Sequence, residues 1–106
     1  MTQQQQRRAK AVARAVAHAP FLRDAMLLHP DILALFELHG AETAVASALA
    51  KRDEPIGVAL RGQRHRLALA VALGDLAGEL ALEQVTRILS DFADYAIEAA
   101  LAQAMA

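Results

Sequence analysis

The chain has 106 residues, a net charge of −1 and no cysteine, and its length suits one domain with a single core. Apolar residues make up 56% and charged residues 22%, which excludes the disordered and membrane-embedded classes. The near-zero net charge argues against nucleic-acid binding, and the lack of cysteine excludes disulfides, thiolate metal sites and a cysteine nucleophile. The opening MTQQQQRRAK lacks the apolar core of a signal peptide, so we expect a cytoplasmic protein with no membrane partner.

The N-terminal part of the chain, residues 2–54, is predicted to form short helices. Apolar residues spaced as i, i+3, i+4 and i+7 predict the first helix over residues 2–18. Residues Gln3–Gln6 precede this pattern and are expected to fray at the terminus. The expected buried stripe of the first helix consists of Ala9, Val12, Ala13, Val16 and Ala17.

Two prolines and a glycine divide the following residues into three more helices. Pro20 and Pro30 suit the first turn of a helix, and the residue before a proline avoids helical geometry. Gly40 is expected to end the third helix, and residues 41–50 form the fourth. The expected buried stripes are Phe21, Leu22, Ala25 and Met26 in the second helix, Ile32, Leu33, Leu35 and Phe36 in the third, and Ala44, Val45, Ala48 and Leu49 in the fourth.

The C-terminal part, residues 58–106, is predicted to be a long helical hairpin. Its first helix runs from Val58 to Ala77 and stops at Gly78, and the second begins near Leu82. No segment alternates with a period of two, so no strand is predicted. We therefore expect an all-α fold of five or six helices, the last two long and antiparallel, around an Ala/Leu/Val core. The near-heptad stripe of the last helix is Leu82, Val85, Leu89, Phe92, Ala93, Ala96, Ile97, Ala100 and Leu101.

The stretch LRGQRHRLALAVALGDLAG, residues 60–78, begins with a basic turn containing Arg61, Arg64 and His65. One interpretation is a patch that binds an anion or nucleic acid; the other is the solvated first half of a helix whose second half is buried. The neutral net charge and the lack of interleaved aromatic residues favour the second interpretation. An antiparallel last helix would also supply acidic partners for this turn, namely Asp91, Asp94 and Glu98.

Three further polar residues are candidates for a structural or interaction role: Asp75, Ser90 and Asp94. Asp75 lies near a helix C-terminus, where the helix dipole disfavours a carboxylate, so we expect a partner such as Arg87 or a free backbone amide. Ser90, Asp91 and Asp94 form a polar cluster one turn wide. A serine inside a helix more often bonds back to its own backbone than takes part in chemistry.

No complete catalytic, cofactor or metal site is visible in the sequence. The four histidines are scattered and form no H-E-x-x-H pattern. Ser47 and Ser90 lie inside predicted helices, where an oxyanion hole would be lacking. The five glycines are dispersed and form no phosphate-binding loop.

Short motifs in a fixed order run through nearly the whole chain: Ala19-Pro20-Phe21-Leu22 with His29-Pro30, Leu60-Arg61-x-x-Arg64 with Leu67, Asp75-Leu76-Ala77-Gly78, Leu82-x-x-Val85-Thr86-x-x-Leu89-Ser90-x-x-Ala93-Asp94, and Ala99-Ala100-Leu101. This pattern resembles the N-terminal helical segment of bacterial bifunctional glutamine synthetase adenylyltransferase/adenylyl-removing enzymes, the glutamate-ammonia-ligase adenylyltransferases. In that family the segment precedes the first catalytic domain.

The resemblance implies two nucleotidyltransferase domains in the full-length enzyme. One attaches AMP to glutamine synthetase with ATP and Mg²⁺, the other removes it by phosphorolysis, and the PII signal protein and glutamine set the balance. The family's catalytic motif is expected shortly after Ala106, so the chain is interpreted as truncated before a nucleotidyltransferase domain. The resemblance carries over no catalytic, ATP-binding or metal-binding residue, and whether this chain is itself an enzyme stays open.

The preferred functional hypothesis is a scaffold and interaction segment of such an enzyme. Arg61 and Arg64 would then hold the last helix or the missing nucleotidyltransferase domain. The alternative is a free-standing helical protein-interaction module, possible as a dimer through the near-heptad of the last helix. A small enzyme or DNA-binding regulator is the least favoured reading, because the sequence shows neither a polar constellation nor a basic face.

Overall fold

The computed structural model describes residues 2–106, and this part of the chain is helical with no β-strand. The all-α class and the expected number of helices are confirmed. In chain order the helices are α1 (Gln3–His18), α2 (Pro20–Leu28), α3 (Pro30–His39), α4 (Ala41–Leu49), α5 (Ile56–Leu76) and α6 (Leu82–Met105). None of the helices in residues 2–106 is both long and apolar enough to cross a membrane.

The helix boundaries in the N-terminal half follow the proline and glycine signals. Pro20 and Pro30 are the first residues of α2 and α3. Proline fits there because its missing N–H would have no partner in the first turn. Gly40 ends α3 with a φ of 100°, a left-handed conformation that glycine adopts without a steric penalty. Residues 19–41 therefore turn sharply twice without a long loop.

The first turn of α1 is ordered by a reciprocal cap, so the expected fraying of Gln3–Gln6 is wrong. The hydroxyl oxygen of Thr2 accepts a hydrogen bond from the Gln5 backbone N–H at 3.1 Å. The side-chain oxygen of Gln5 accepts one from the Thr2 N–H at 2.9 Å. This capping box satisfies two amides that otherwise have no partner in the helix.

Helix α5 lies at the centre of the bundle, where it contacts each of the other five helices. Three of its leucines are almost completely buried, together with Ile32 and Phe36 of α3. Helix α4 packs closely against α5, because its buried face is mostly alanine and lets the two backbones approach. The alanines of that face are Ala41, Ala44 and Ala48.

Helix α1 buries a different face from the expected one. Its buried residues are Arg8, Ala11 and Ala15, while Val12 is half-buried. The other members of the expected stripe, Ala9, Ala13, Val16 and Ala17, are exposed. The alanine-rich helix offers nearly equivalent apolar faces, and the packing selects the one that carries Arg8.

Helix α6 is held by few buried side chains. Of its 24 residues, only Phe92 is buried, and Val85, Ile88 and Ala96 pack partly against the core. Among the described helices, α6 contacts α5. The rest of the expected stripe faces outward, and we call its four large members, Leu82, Leu89, Ile97 and Leu101, the α6 outer stripe.

Candidate interaction surfaces

The chain reverses after α5 through a glycine turn. Gly78 has a φ of 74°, and its N–H donates to the Asp75 carbonyl at 3.1 Å. The next N–H, from Glu79, donates to the Gly74 carbonyl at 2.9 Å. These two bonds form a Schellman motif, which satisfies carbonyls at the helix end. The turn aims the Glu79 side chain back toward the bundle and places Leu80 in the core.

The Glu79 carboxylate joins three distant parts of the chain. It accepts a hydrogen bond from Arg8 of α1, with 2.5 Å between Arg8 Nε and Glu79 Oε2. Its other oxygen, Oε1, accepts the Ala41 backbone N–H at 3.0 Å. Ala41 is the first residue of α4, where the helix dipole and free N–H groups favour a carboxylate. These contacts hold α1, the start of α4 and the turn after α5 together, and all of them are made between residues of this chain.

A second ion pair joins α3 to α5. Both terminal nitrogens of the Arg66 guanidinium donate to Asp31, with distances of 3.1 Å and 2.6 Å. The hydrogen bonds from Arg66 hold the pKa of Asp31 below its usual range, against the opposing effect of partial burial. The Nε atom of Arg66 is buried and makes no hydrogen bond within the described chain.

His29, between α2 and α3, lies in a positively charged environment. Partial burial lowers its pKa, and the nearby Arg66 lowers it further. His65 and Arg52 contribute in the same direction, while Asp31 opposes them. His29 therefore lies close enough to Arg66, His65 and Arg52 for each to act on its pKa.

Gln63 of α5 is a buried polar residue that contacts the C-terminal end of α4. Its exposure is 1%, and its Nε2 group donates to the carbonyls of Leu49 and Ala50 at 3.1 Å and 3.2 Å. Those carbonyls lie at the C-terminal end of α4, which has no glycine cap. The Gln63 side chain therefore caps α4 by donating hydrogen bonds to carbonyls that have no partner within the helix. The Oε1 atom of Gln63 is buried and has no hydrogen-bond partner within residues 2–106.

An apolar groove runs between α4 and α6. Two adjoining cavities of about 320 and 330 Å³ form it, and they share Leu49 of α4 and Ile88 of α6. A separate cavity of about 480 Å³ is lined by the start of α5 and by Tyr95 and Gln103 of α6. Residues from the start of α5 and from the second half of α6 therefore line one cavity.

The five residues singled out from the sequence are all exposed: Arg61, Arg64, Asp75, Ser90 and Asp94. Within residues 2–106, none of their side chains makes an ion pair or a side-chain hydrogen bond. The expected contacts between the basic turn of α5 and Asp91, Asp94 or Glu98 are not formed. The proposed partner of Asp75, Arg87, is likewise not joined to it. No group of three His, Asp or Glu side chains in this part of the chain is placed to hold a metal.

The polar contacts that do form involve residues that were not predicted from the sequence, such as Arg8 and Glu79. One signal was available: Arg8 is spaced i, i+3 and i+7 from Ala11 and Ala15, which places it on the face that α1 buries. A buried arginine requires an acidic partner. Its identification as Glu79 required the three-dimensional path of the chain.

A family model and a curated relative both match the chain to the same family of enzymes. The family model described as glutamate-ammonia ligase adenylyltransferase matches residues 7–106. The chain is similar to the bifunctional glutamine synthetase adenylyltransferase/adenylyl-removing enzyme of Rhizobium meliloti (strain 1021), with 35% identity over 101 residues. That alignment covers 82% of this chain and 10% of the Rhizobium enzyme. No solved structure matches the chain.

Proposed function

The chain belongs to the glutamate-ammonia ligase adenylyltransferase family, and on that premise we propose that it is a scaffold and interaction segment of a longer enzyme. The chain spans about a tenth of the length of the curated relative it matches. By similarity to that relative, the proposed enzyme transfers AMP to glutamine synthetase and removes it again, with removal by phosphorolysis as the family resemblance implies. Glutamine synthetase is then the protein partner, with PII as the proposed regulator.

The observation that carries the scaffold role is the exposure of the α6 outer stripe. Leu82 is 74% exposed, Ile97 59% and Leu101 56%. Large apolar side chains aligned along one helix are costly to leave in water, and such surfaces are typical of interaction sites. We propose that this stripe packs against the nucleotidyltransferase domain that the family implies and fixes its position.

The ATP and Mg²⁺ that the family implies are not assigned to residues of this chain. Magnesium prefers several converging oxygen ligands, and the acidic residues in residues 2–106 do not converge in a group of three. Asp75 near the end of α5 and Asp94 on α6 are exposed and belong to no such group. We therefore derive no catalytic step through either group.

A free-standing dimer through α6 is the second candidate, and charge weighs against it. Helix α6 carries four acidic residues and a single basic residue, Arg87. Pairing two copies of this helix would bring like charges together along the interface. A partner domain with a neutral or basic surface avoids that repulsion.

The test compares two matched pairs of substitutions in the longer enzyme. Ile97→Gln with Leu101→Gln makes the α6 outer stripe polar, while Leu27→Gln with Leu28→Gln makes the same change on α2, where both leucines are more than 70% exposed. The α6 pair should lower the rates of AMP transfer and removal on glutamine synthetase. It should also speed limited proteolysis between this segment and the rest of the enzyme. The α2 pair should change neither.

Equal behaviour of the two pairs would contradict the scaffold role. The 106-residue chain provides the folding control, because all four positions are exposed and their replacement should leave its melting temperature nearly unchanged. A dimer of the wild-type chain, dissolved by the α6 pair in sedimentation experiments, would support the second candidate instead.

A further inference from the structure

A basic surface on α5 takes no part in the scaffold contacts described above. Arg61, Arg64 and His65 are exposed and are spaced i, i+3 and i+4, so their side chains are neighbours on one face of the helix. We call these three residues the α5 basic face. They lie on the central helix rather than on a loop, so the helix sets the backbone positions of Arg61 and Arg64 relative to each other.

The region around the α5 basic face has a local excess of positive charge. Residues 51–66 contain five Lys or Arg side chains, one histidine and two acidic side chains. Arg52 pairs with Glu54, and Arg66 pairs with Asp31 of α3. Arg61 and Arg64 make no ion pair within residues 2–106. Helix α1 is a second basic region, with four Lys or Arg residues and no acidic residue, and the acidic excess of the chain lies on α6. The net charge of −1 therefore arises from oppositely charged regions that nearly cancel.

The exposed arginines of the α5 basic face do not stabilise the folded chain. Helix α5 has no acidic residue in its first turn, and the two arginines lie in its N-terminal half, where cations do not benefit from the helix dipole. Neighbouring like charges on a helix cost a few tenths of a kcal/mol. Their exposed side chains add no buried contact. The helix therefore carries a small unfavourable term that a ligand of opposite charge would remove.

We propose that the α5 basic face is a docking surface for an acidic segment of a partner protein. Two guanidinium groups on adjacent turns each offer a planar pair of N–H donors that fits a carboxylate. Nucleic acid is the poorer match, because surfaces that bind single strands interleave aromatic residues with cations and this face has none. This inference goes beyond the scaffold role, because it concerns a different helix and is tested by different variants.

The experiment measures binding of a fluorescein-labelled hexaglutamate peptide to the 106-residue chain by fluorescence anisotropy. The variant Arg61→Gln with Arg64→Gln removes the two fixed charges. The matched control, Arg7→Gln with Arg14→Gln, removes two exposed arginines from α1. The α5 variant should bind the peptide about tenfold more weakly at low ionic strength, with the difference shrinking as salt is added. The control should bind like the wild type.

Four results would overturn the proposal. Equal loss in both variants would show attraction by total charge alone, and no binding to the wild type at low salt would show no docking surface. Tighter binding of a hexathymidylate oligonucleotide than of hexaglutamate, lost in the α5 variant, would assign the face to nucleic acid. Sedimentation of the 106-residue chain tests a further possibility. Self-association that is weakened by salt and requires Arg61 and Arg64 would show that a second copy of the chain binds the α5 basic face.

Discussion

The guanidinium of Arg8 and the carboxylate of Glu79 lie 2.5 Å apart, although 71 residues separate them in the sequence. The two side chains are 9% and 17% exposed, so water screens the pair only weakly. Because Glu79 also accepts the Ala41 N–H, one carboxylate connects the second turn of α1, the start of α4 and the turn after α5.

We expect Glu79→Ala to lower the free energy of unfolding by about 3 kcal/mol, because it leaves Arg8 largely buried without a counter-charge. Urea denaturation of the 106-residue chain measures the loss. Glu98→Ala is the matched control, since it removes an exposed carboxylate from α6 and should change stability by less than about 0.5 kcal/mol. Combining Arg8→Ala with Glu79→Ala should cost less than the sum of the single changes; strict additivity would show that the two residues do not interact.

Two glycine-to-alanine substitutions in α5 should have opposite effects. At Gly74 an added Cβ would lie 2.7 Å from Leu80 Cδ1 and 2.8 Å from Ala41 Cβ, so Gly74→Ala should destabilise the chain by about 1–3 kcal/mol through overpacking. At Gly57 nothing lies within 4 Å of the added atom. Gly57→Ala should stabilise the chain by about 0.5 kcal/mol through helix propensity. Thermal melts of both variants decide the matter, and a stabilised Gly74→Ala chain would contradict the close approach of α4 to α5.

Replacing Gln63 by glutamate should make the stability of the chain fall as the pH rises. The substitution places an acid against the carbonyls of Leu49 and Ala50, which repel its charged form, so burial and repulsion raise its folded pKa above the unfolded value. The protonated acid can still donate one hydrogen bond. Gln63→Glu should therefore be close to wild type in stability below the unfolded pKa of glutamate. Its stability should fall as pH rises through the folded pKa. A variant equally stable relative to wild type at pH 4 and pH 7 would show that the site is open to water.

The wild-type chain should lose stability in two steps as pH falls. The pKa of His29 is lowered from 6.5 by burial and by Arg66, so the folded state resists protonation and stability declines as pH falls below 6.5. The pKa of Asp31 is lowered from 3.8 by its bonds to Arg66. Its contribution is present above 3.8 and is lost as pH falls through the lower folded value. Denaturation midpoints across pH 3–8 measure both steps, and His29→Gln should remove the first while leaving the second.

Local signals in the sequence were sufficient for most helix boundaries. Pro20, Pro30, Gly40 and Gly78 mark helix ends through restrictions on their own backbone, which act regardless of the rest of the fold. The helix at the centre of the bundle was also predictable, because its apolar run has no charged residue for two turns.

The packing faces and the polar contacts depend on the tertiary arrangement and could not be predicted in the same way. The alanine-rich α1 could present several apolar faces, and the buried one was decided by Arg8 and its distant partner. On α6 the expected stripe is wider than the contact with α5, so Phe92 is buried while Leu89 and Ile97 are not. The acidic residues of α6 were expected to pair with α5, but Asp94 lies half a turn from Phe92 and faces away from it.

Because few side chains of α6 are buried, α6 should open locally more readily than α5. Amides of α5 are shielded by a core on most sides, and their hydrogen bonds break only when the whole bundle unfolds. Amides of α6 beyond Ala96 follow the last strongly buried side chain, Phe92, so a few turns can open without disturbing the rest. In deuterium exchange the end of α6 would label well before α5. Contact with a partner along the α6 outer stripe would then register as protection gained in those turns.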